Sequence, residues 1–343
     1  MKLADTLNAA GKPTELFQSP DGSTVLMLPY GGRVLGLFSP GSDRNFYWTN
    51  TALDSADSAK AFFASHEWQN TGGDRTWLSP ETSLFFPNYP TMDVYFQPRS
   101  LDPGKYEVVK EGGVTKLVNR LSVTLFKSKT EVDLVITKRV GPAPNPLRYE
   151  RGLSVGDVEY AGYTQYTTLD TTSVAGSVGL WNLVQMPHGG DLLVPTYVRA
   201  EPVAYFGSMP PEDLLVSDHL VRYKMRQKGE HKIGIRAAAT CGRVGYLYEQ
   251  AGTWQLIVRS FTVNPSGEYI DCPWTDQDAF GISTQACNVN SGLGQFSELE
   301  YHIPAIGEGT GRQRCDDEAQ VWAFRGSLES VRAVARALLA AEV

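Results

Sequence analysis

The sequence predicts a mainly β fold, two large antiparallel sheets packed face to face with a helix at the C-terminus. Three observations carry this. Apolar runs of strand length recur along the 343 residues, clusters of Gly, Pro, Asn and Asp separate them, and a helical apolar stripe stands out only near the end. Seven Trp, 16 Tyr and 14 Phe beside 33 Gly and 20 Pro suit a turn-rich β protein better than a helical bundle.

Taken in order, the strand-length runs are 23–29, 33–38, 91–97, 116–126, 132–140, 160–169, 179–186, 254–263 and 297–303. Pro-Asp-Gly at 20–22, Pro-Gly-Ser-Asp at 40–43, Asp-Pro-Gly at 102–104 and Asn-Pro-Ser-Gly at 264–267 supply turn chemistry between them. From about 327 to 341, Leu328, Val331, Val334 and Leu338 with intervening alanines form one stripe. Ser327 is the expected N-cap, Glu329 falls in the first turn, and the helix is expected on the outside of the sheets. No repeat, low-complexity linker or charge block divides the chain, so one domain is expected over 1–343. The segment GPAPNP at 141–146 reads either as a crossing between two halves of the sandwich or as a surface loop.

The charge balance, 31 Lys+Arg against 38 Asp+Glu for a net −7, argues against nucleic-acid binding, which relies on a basic surface. No apolar run reaches membrane-helix length, and the N-terminus has none of signal-peptide length, so a cytoplasmic protein is expected with no membrane partner. Cys241, Cys272, Cys287 and Cys315 are scattered without a CxxC and read as reduced thiols. With no HExxH, EF-hand loop, GxSxG elbow, GxxxxGK[ST] loop or strand-borne GxGxxG, neither a metal nor a cofactor is expected.

Three stretches could carry chemistry. In the run 295–304, strand alternation places Glu298, Glu300 and His302 on one face and Leu299, Tyr301 and Ile303 on the core face. Ionisable groups about 6.5–7 Å apart along a strand raise one another's proton affinity when desolvated, so the row could hold a general base, or else form a solvated face. In 71–81 a Gly pair precedes Arg75 and Trp77, a forked donor and a flat platform suited to a pyranose ring, or alternatively a brace and a core filler. In 180–190, Trp181 and Gln185 share a strand face, and His188 follows a Pro at the strand end, where it could exchange protons near neutral pH or serve structurally.

Gly31-Gly32-Arg33-Val34, Asn45-Phe46-Tyr47-Trp48-Thr49-Asn50, the 72–81 segment Gly-Gly-Asp-Arg-Thr-Trp-Leu-Ser-Pro-Glu and the late Glu298-Leu299-Glu300-Tyr301-His302-Ile303-Pro304 occur in that order. In this arrangement, and in Tyr205-Phe206-Gly207 with the 210–214 stretch Pro-Pro-Glu-Asp-Leu, the chain resembles the galactose mutarotase-like (aldose 1-epimerase-like) superfamily, in particular a bacterial branch of it. The resemblance implies a β-supersandwich whose concave face binds a mono- or oligosaccharide and acts by cofactor-independent acid/base chemistry. It puts Glu298 or Glu300 in the position of the base, Arg75 in that of the sugar-holding arginine and His188 by position in that of the acid. Together with the reading of the three stretches, the expected roles are Glu298 as base with Glu300 as its neighbour or replacement, His188 or His302 as acid, Arg75 and Gln185 as hydroxyl clamps, and Trp77 and Trp181 as platforms. The His-Pro-Tyr-Phe-Asn-Leu strand that carries the acid in mutarotases is absent, with Met186-Pro187-His188-Gly189-Gly190 in its place. A non-catalytic carbohydrate-binding protein, or a lyase or glycosidase on the same face, is the alternative expectation.

Overall fold

The structure, a computed structural model, describes residues 1–153 and 158–343. Its strands run β1 (Glu15–Gln18), β2 (Thr24–Leu28), β3 (Arg33–Phe38), β4 (Asp74–Ser79), β5 (Glu107–Glu111), β6 (Val114–Leu125) and β7 (Thr130–Pro142). They continue as β8 (Glu159–Thr171), β9 (Ser177–Pro187), β10 (Asp191–Pro195), β11 (Val203–Phe206), β12 (Leu214–Val216), β13 (Leu220–Lys224) and β14 (Gly229–Arg236). The last are β15 (Arg243–Gln250), β16 (Thr253–Ser260), β17 (Ile282–Ser291), β18 (Gly294–His302), β19 (Ile306–Gly307) and β20 (Arg314–Gly326).

These strands form two large sheets. One has the order β1-β2-β3-β4-β9-β18-β17-β14-β11, with β19 pairing to β9, and the other β12-β13-β10-β15-β16-β20-β8-β7-β6-β5. The named strand pairings are antiparallel, so hairpin-length turns and strand alternation dominate the chain as expected. Between the sheets lie Val184, Leu299 and Tyr301 from the first and Tyr163, Ile257 and Val321 from the second, all fully buried.

The interface between the sheets also contains a hydrogen-bonded polar layer. Asp74 Oδ2 accepts from Arg259 Nη2 and from Tyr163 Oη, each at 2.7 Å, and Tyr163 in turn pairs with Tyr47 at 2.8 Å. Asn182 Nδ2 donates to Tyr301 Oη at 2.9 Å and to Asp317 Oδ2 at 3.1 Å, while Thr76 Oγ1 donates to Asn182 Oδ1 at 2.6 Å. Burial makes such partners obligatory. They tie the inner faces of β4, β9 and β18 to the opposite sheet, leaving the outer faces of these three strands to build the site.

The C-terminal helix spans Leu328–Leu339, with the Ser327 side chain accepting from Ser330 N as expected of its cap. Val331, Val334 and Leu338 lie against Leu247, Val258, Trp322 and Phe324 on the outer face of the second sheet. Besides the single turn Glu81–Leu84, sequence periodicity missed two other helices, Lys2–Ala9 and Ala56–Ala64, which cover Leu26, Leu28, Leu35 and Phe38. Each is only two turns long, too short for a periodic stripe to stand out. The run 91–97 is not a strand: its alternating apolar residues belong to a loop over the first sheet, with Tyr95 and Phe96 exposed. The segment 141–146 leads from β7 toward β8, its neighbour in the same sheet, so it makes no crossing between halves. No helix among the described residues is long and apolar enough to cross a membrane, and the four cysteines are unpaired.

Candidate functional site

The site begins with two glycines. Gly72 and Gly73 hold φ of 93° and 74°, and a Cβ on either would come within 2.4 Å of a carbonyl oxygen, Trp48 O for the first and Val34 O for the second. Only glycine permits this approach of β4 to its neighbours. The register then sets Arg75 opposite Leu183 and Trp77 opposite Trp181, while on the other side of β9 Gln185 faces Glu298, Leu183 faces Glu300 and Trp181 faces His302. Alternation directs this set away from the second sheet.

Arg75 Nη2 donates to Glu298 Oε1 at 3.1 Å, and Gln185 Nε2 donates to the same oxygen at 2.8 Å. The Arg75 guanidinium lies 4.0 Å from the centre of the Trp77 ring and 5.2 Å from that of Trp68, and its Nη1 donates to Asn70 Oδ1. Both indoles are anchored at one point: Trp77 Nε1 and Trp68 Nε1 donate to Asp102 Oδ2 at 3.0 and 3.2 Å. Arg33 Nη2 reaches both Asp102 oxygens at 3.1 Å. Burial by itself would raise the Asp102 carboxyl pKa, but Arg33, Arg75 and the indole donors outweigh it and hold the group below its ordinary range.

A second charged group adjoins the first. Lys232 on β14 is 3.1 Å from Glu300 and 3.5 Å from Glu81, and its ammonium lies 4.1 Å from the centre of the Trp181 ring. Trp181 Nε1 donates to Glu300 Oε2 at 2.7 Å; Tyr95 and Trp274 donate to Glu81 at 3.0 and 3.2 Å. Burial pushes the Glu300 carboxyl up, Lys232 opposes this, and the nearby Glu298 and Glu81 add to the rise. For Lys232, burial alone would lower the ammonium, but Glu300, Glu81 and Asp271 raise it. The pair is therefore unequal, with the lysine firmly charged and the carboxyl holding a proton more tightly than usual.

These groups line a cavity of about 400 Å³ walled by Trp68, Trp77, Trp181, Tyr95, Phe206 and Trp274. Of the residues singled out in the sequence, Arg75, Trp77, Trp181, Glu298 and Glu300 line it, and Gln185 stands directly behind Glu298. His302 does not reach it. Its ring stacks on Trp181 at 5.6 Å between centroids, 1 % exposed, with neither ring nitrogen hydrogen-bonded. Burial, with Lys232 adding, pushes its pKa well below the ordinary value, so the imidazole is neutral. His188 also lies off the cavity wall: one residue beyond the end of β9, its Nε2 is 2.9 Å from Asn288 Oδ1, and Asn288 in turn donates to the Gln227 and Gly229 carbonyls. It braces a neighbouring connection.

Sequence reasoning missed Lys232, Asp102, Trp68 and Trp274. Lys232 sits in the unremarkable run Gly-Glu-His-Lys-Ile-Gly-Ile-Arg, and Asp102 opens an Asp-Pro-Gly that reads as a turn. Cys287 Sγ and the Glu298 and Glu300 oxygens come within 4.8 Å of one another, a grouping of metal-ligand type. Its carboxylates already have Arg75 and Lys232 as counter-charges, and burial pushes the Cys287 thiol well above its ordinary value. A cation there would have to displace both bases and deprotonate a reluctant thiol, which fits poorly.

A family model matches the chain over residues 2–343. The chain belongs to the family of unknown function DUF6786. No curated protein matches this DUF6786 chain in sequence. Among solved structures it is similar to a candidate aldose 1-epimerase from Klebsiella pneumoniae subsp. pneumoniae, at 12 % identity and TM-score 0.46 over 96 % of this chain and 83 % of that one. It is also similar to a GalM/aldose epimerase homologue from C. elegans, at 10 % identity and TM-score 0.41 over 92 % and 99 % of the two chains. A third is galactose 1-epimerase from Lactobacillus acidophilus, at 7 % identity and TM-score 0.42 over 91 % and 93 %. At such identities the chemistry of the site has to be argued from this chain's own residues.

Proposed function

We propose that the cavity binds a sugar and that Glu298 and Glu300 act on its anomeric centre as proton acceptor and proton donor, as in an aldose 1-epimerase. One observation carries this reading. Two carboxyl groups stand on one strand at the base of an aromatic-walled cavity, one ion-paired to Arg75 and the other buried with raised proton affinity beside Lys232. Unequal environments of this kind let one carboxyl accept a proton while its neighbour donates one.

In the proposed reaction Glu298 takes the proton of the C1 hydroxyl and Glu300 gives its proton to the ring oxygen. The C1–O5 bond breaks, the C1–O1 bond becomes a carbonyl, and rotation about C1–C2 exposes the other face. Closure runs the same transfers backwards and returns each proton, so no cofactor takes part. Trp68 and Trp274, only partly buried, are the indoles with surface left for the ring's C–H groups, whereas Trp77 is covered by Arg75 and Phe85 and Trp181 by Lys232 and His302. Arg75, bound to Glu298 and Asn70, holds the base in place. The order of motifs in which the sequence resembles the mutarotase-like superfamily is consistent with the same chemistry, with Glu300 proposed for the acid role that a histidine fills in mutarotases.

The test is the rate at which freshly dissolved α-aldopyranoses reach anomeric equilibrium, followed by polarimetry or NMR. Acceleration is expected with at least one common aldose, and Glu298→Gln is expected to reduce it by about 10²-fold or more with the melting temperature retained. Binding without acceleration would make the protein a carbohydrate-binding module. If no saccharide is turned over or bound, the reading fails.

A further inference from the structure

The sugar cavity does not stop at Trp68. A second cavity of about 230 Å³ adjoins it, and Trp68, Tyr95 and Gln97 line both. Trp68 is therefore a shared wall, and its indole is fixed in place by Asp102.

The second cavity has the chemistry of a saccharide subsite. Phe96, 44 % exposed at its edge, meets Phe126 edge-on and keeps the rest of its ring open, while Tyr95 stacks on Phe85 and donates to Glu81 and so is wall. Arg99 uses one nitrogen on the His66 carbonyl at 2.6 Å and keeps its other donors. The Gln97 amide and the His66 ring make no hydrogen bond among the described residues, and Glu67 is exposed. Gln69 differs: its amide nitrogen donates to the carbonyls of Phe62, Phe63 and Ser65, so it is wall and not contact.

Charge narrows the class of ligand. Asp102 is already neutralised by Arg33, leaving Arg99 and Glu67 balanced in the second cavity. In the first, Glu81, Glu230 and Glu298 outnumber Arg75 and Lys232 even with Glu300 protonated. Uronate, sulfate and phosphate groups would meet net repulsion there, whereas neutral hydroxyls would find both donors and acceptors.

We propose that the two cavities are consecutive subsites for a neutral oligosaccharide, one ring beside Glu298 and the next against Trp68 and Phe96 within reach of Arg99. The preferred ligand is then at least a disaccharide, with a free hexose held more weakly by the first subsite alone. This rests on the first cavity being a sugar site, and the test separates the two claims.

The full chain is titrated calorimetrically with matched mono-, di- and trisaccharides of glucose, galactose, mannose and N-acetylglucosamine, with oligogalacturonates as the anionic series. At least one neutral di- or trisaccharide is expected to bind about tenfold or more tighter than its own monosaccharide, the scale of one or two added aromatic and hydrogen-bond contacts. Phe96→Ala and Arg99→Ala, both at exposed positions, are each expected to reduce that gain and leave the monosaccharide affinity unchanged; melting temperatures confirm folding. A disaccharide that binds no tighter than its monosaccharide overturns the second subsite while leaving the first intact, as does a gain that survives both variants. Preference for the oligogalacturonates overturns the neutral class. No binding by any saccharide removes the sugar site itself, and the second subsite with it.

Discussion

The Lys232 ammonium stands 3.5 Å from the Glu81 carboxylate, with the two side chains 2 % and 5 % exposed. Removing one partner of such a pair leaves the other charge buried and uncompensated, which costs about 3–5 kcal/mol. Lys232→Met is expected to destabilise the protein by that order in chemical denaturation, because it strands the Glu81 carboxylate. Adding Glu81→Gln should recover part of the loss. If the double variant is no more stable than the single one, the pair is not coupled as described.

Asp102 acts on the site through other side chains. Its Oδ2 receives Trp68, Trp77 and Arg33 together, and the two indoles flank Arg75. Asp102→Asn replaces one acceptor oxygen with a donor and removes the charge that Arg33 pairs with, so the amide either turns a donor toward both indoles or keeps them and confronts Arg33, and the cluster has to shift. The expected result is a shifted tryptophan emission spectrum and weakened saccharide binding in a chain that still folds. Asp102→Ala, which leaves Arg33 buried and unpaired, should cost more stability than the Asn variant. Emission and affinity identical to the parent in Asp102→Asn would rule out the positioning role.

The pH response of stability has an identifiable contributor between the sheets. Burial pushes the Asp317 carboxyl up to about 6 from an ordinary 3.8, opposed by Tyr301 and Arg259. The native state thus binds this proton more tightly than the unfolded state, so the contribution is fully present below about pH 4 and is lost as pH rises through 6. Two pH units correspond to roughly 3 kcal/mol. Relative to Asp317→Asn, the parent should lose stability between pH 4 and 7, measured by denaturant titration at each pH. Parallel curves would exclude Asp317 as the source.

The two histidines should behave as structure. His188→Ala is expected to leave saccharide affinity and any turnover unchanged, since its contact is with Asn288. His302→Phe keeps the stack on Trp181 and removes two buried, unpartnered nitrogens, so stability at neutral pH should be equal or higher. A loss of activity above tenfold in either variant at unchanged stability would return a proton-transfer role to that residue.

What could be read from sequence was whatever depends on strand parity. Glu298 and Glu300 face away from Leu299 and Tyr301, and Arg75 and Trp77 share a face, because a period of two needs no knowledge of partners. Parity also grouped His302 with the carboxylates correctly, but the depth at which Trp181 covers it depends on the neighbouring strand. Lys232 was illegible for the same reason: alone it is a lysine on a short strand, and only Glu81 and Glu300, brought from remote segments, make its burial tolerable. In the loop 91–97 the apolar alternation imitates a strand because Tyr95 and Phe96 stand at the cavity edge and not in a core.

The pairing of β4 with β9 and of β9 with β18 also bears on time. Asp74 joins Val184, and Trp181 joins His302, so the central ladder closes only across long stretches of chain. Loop-closure entropy delays such contacts, and topologies built from them fold slowly. During synthesis Arg75 and its two tryptophans emerge long before Glu298 exists, and the site has no half-formed version. A bound saccharide should therefore slow the departure from the native state and leave the rate of arrival unchanged.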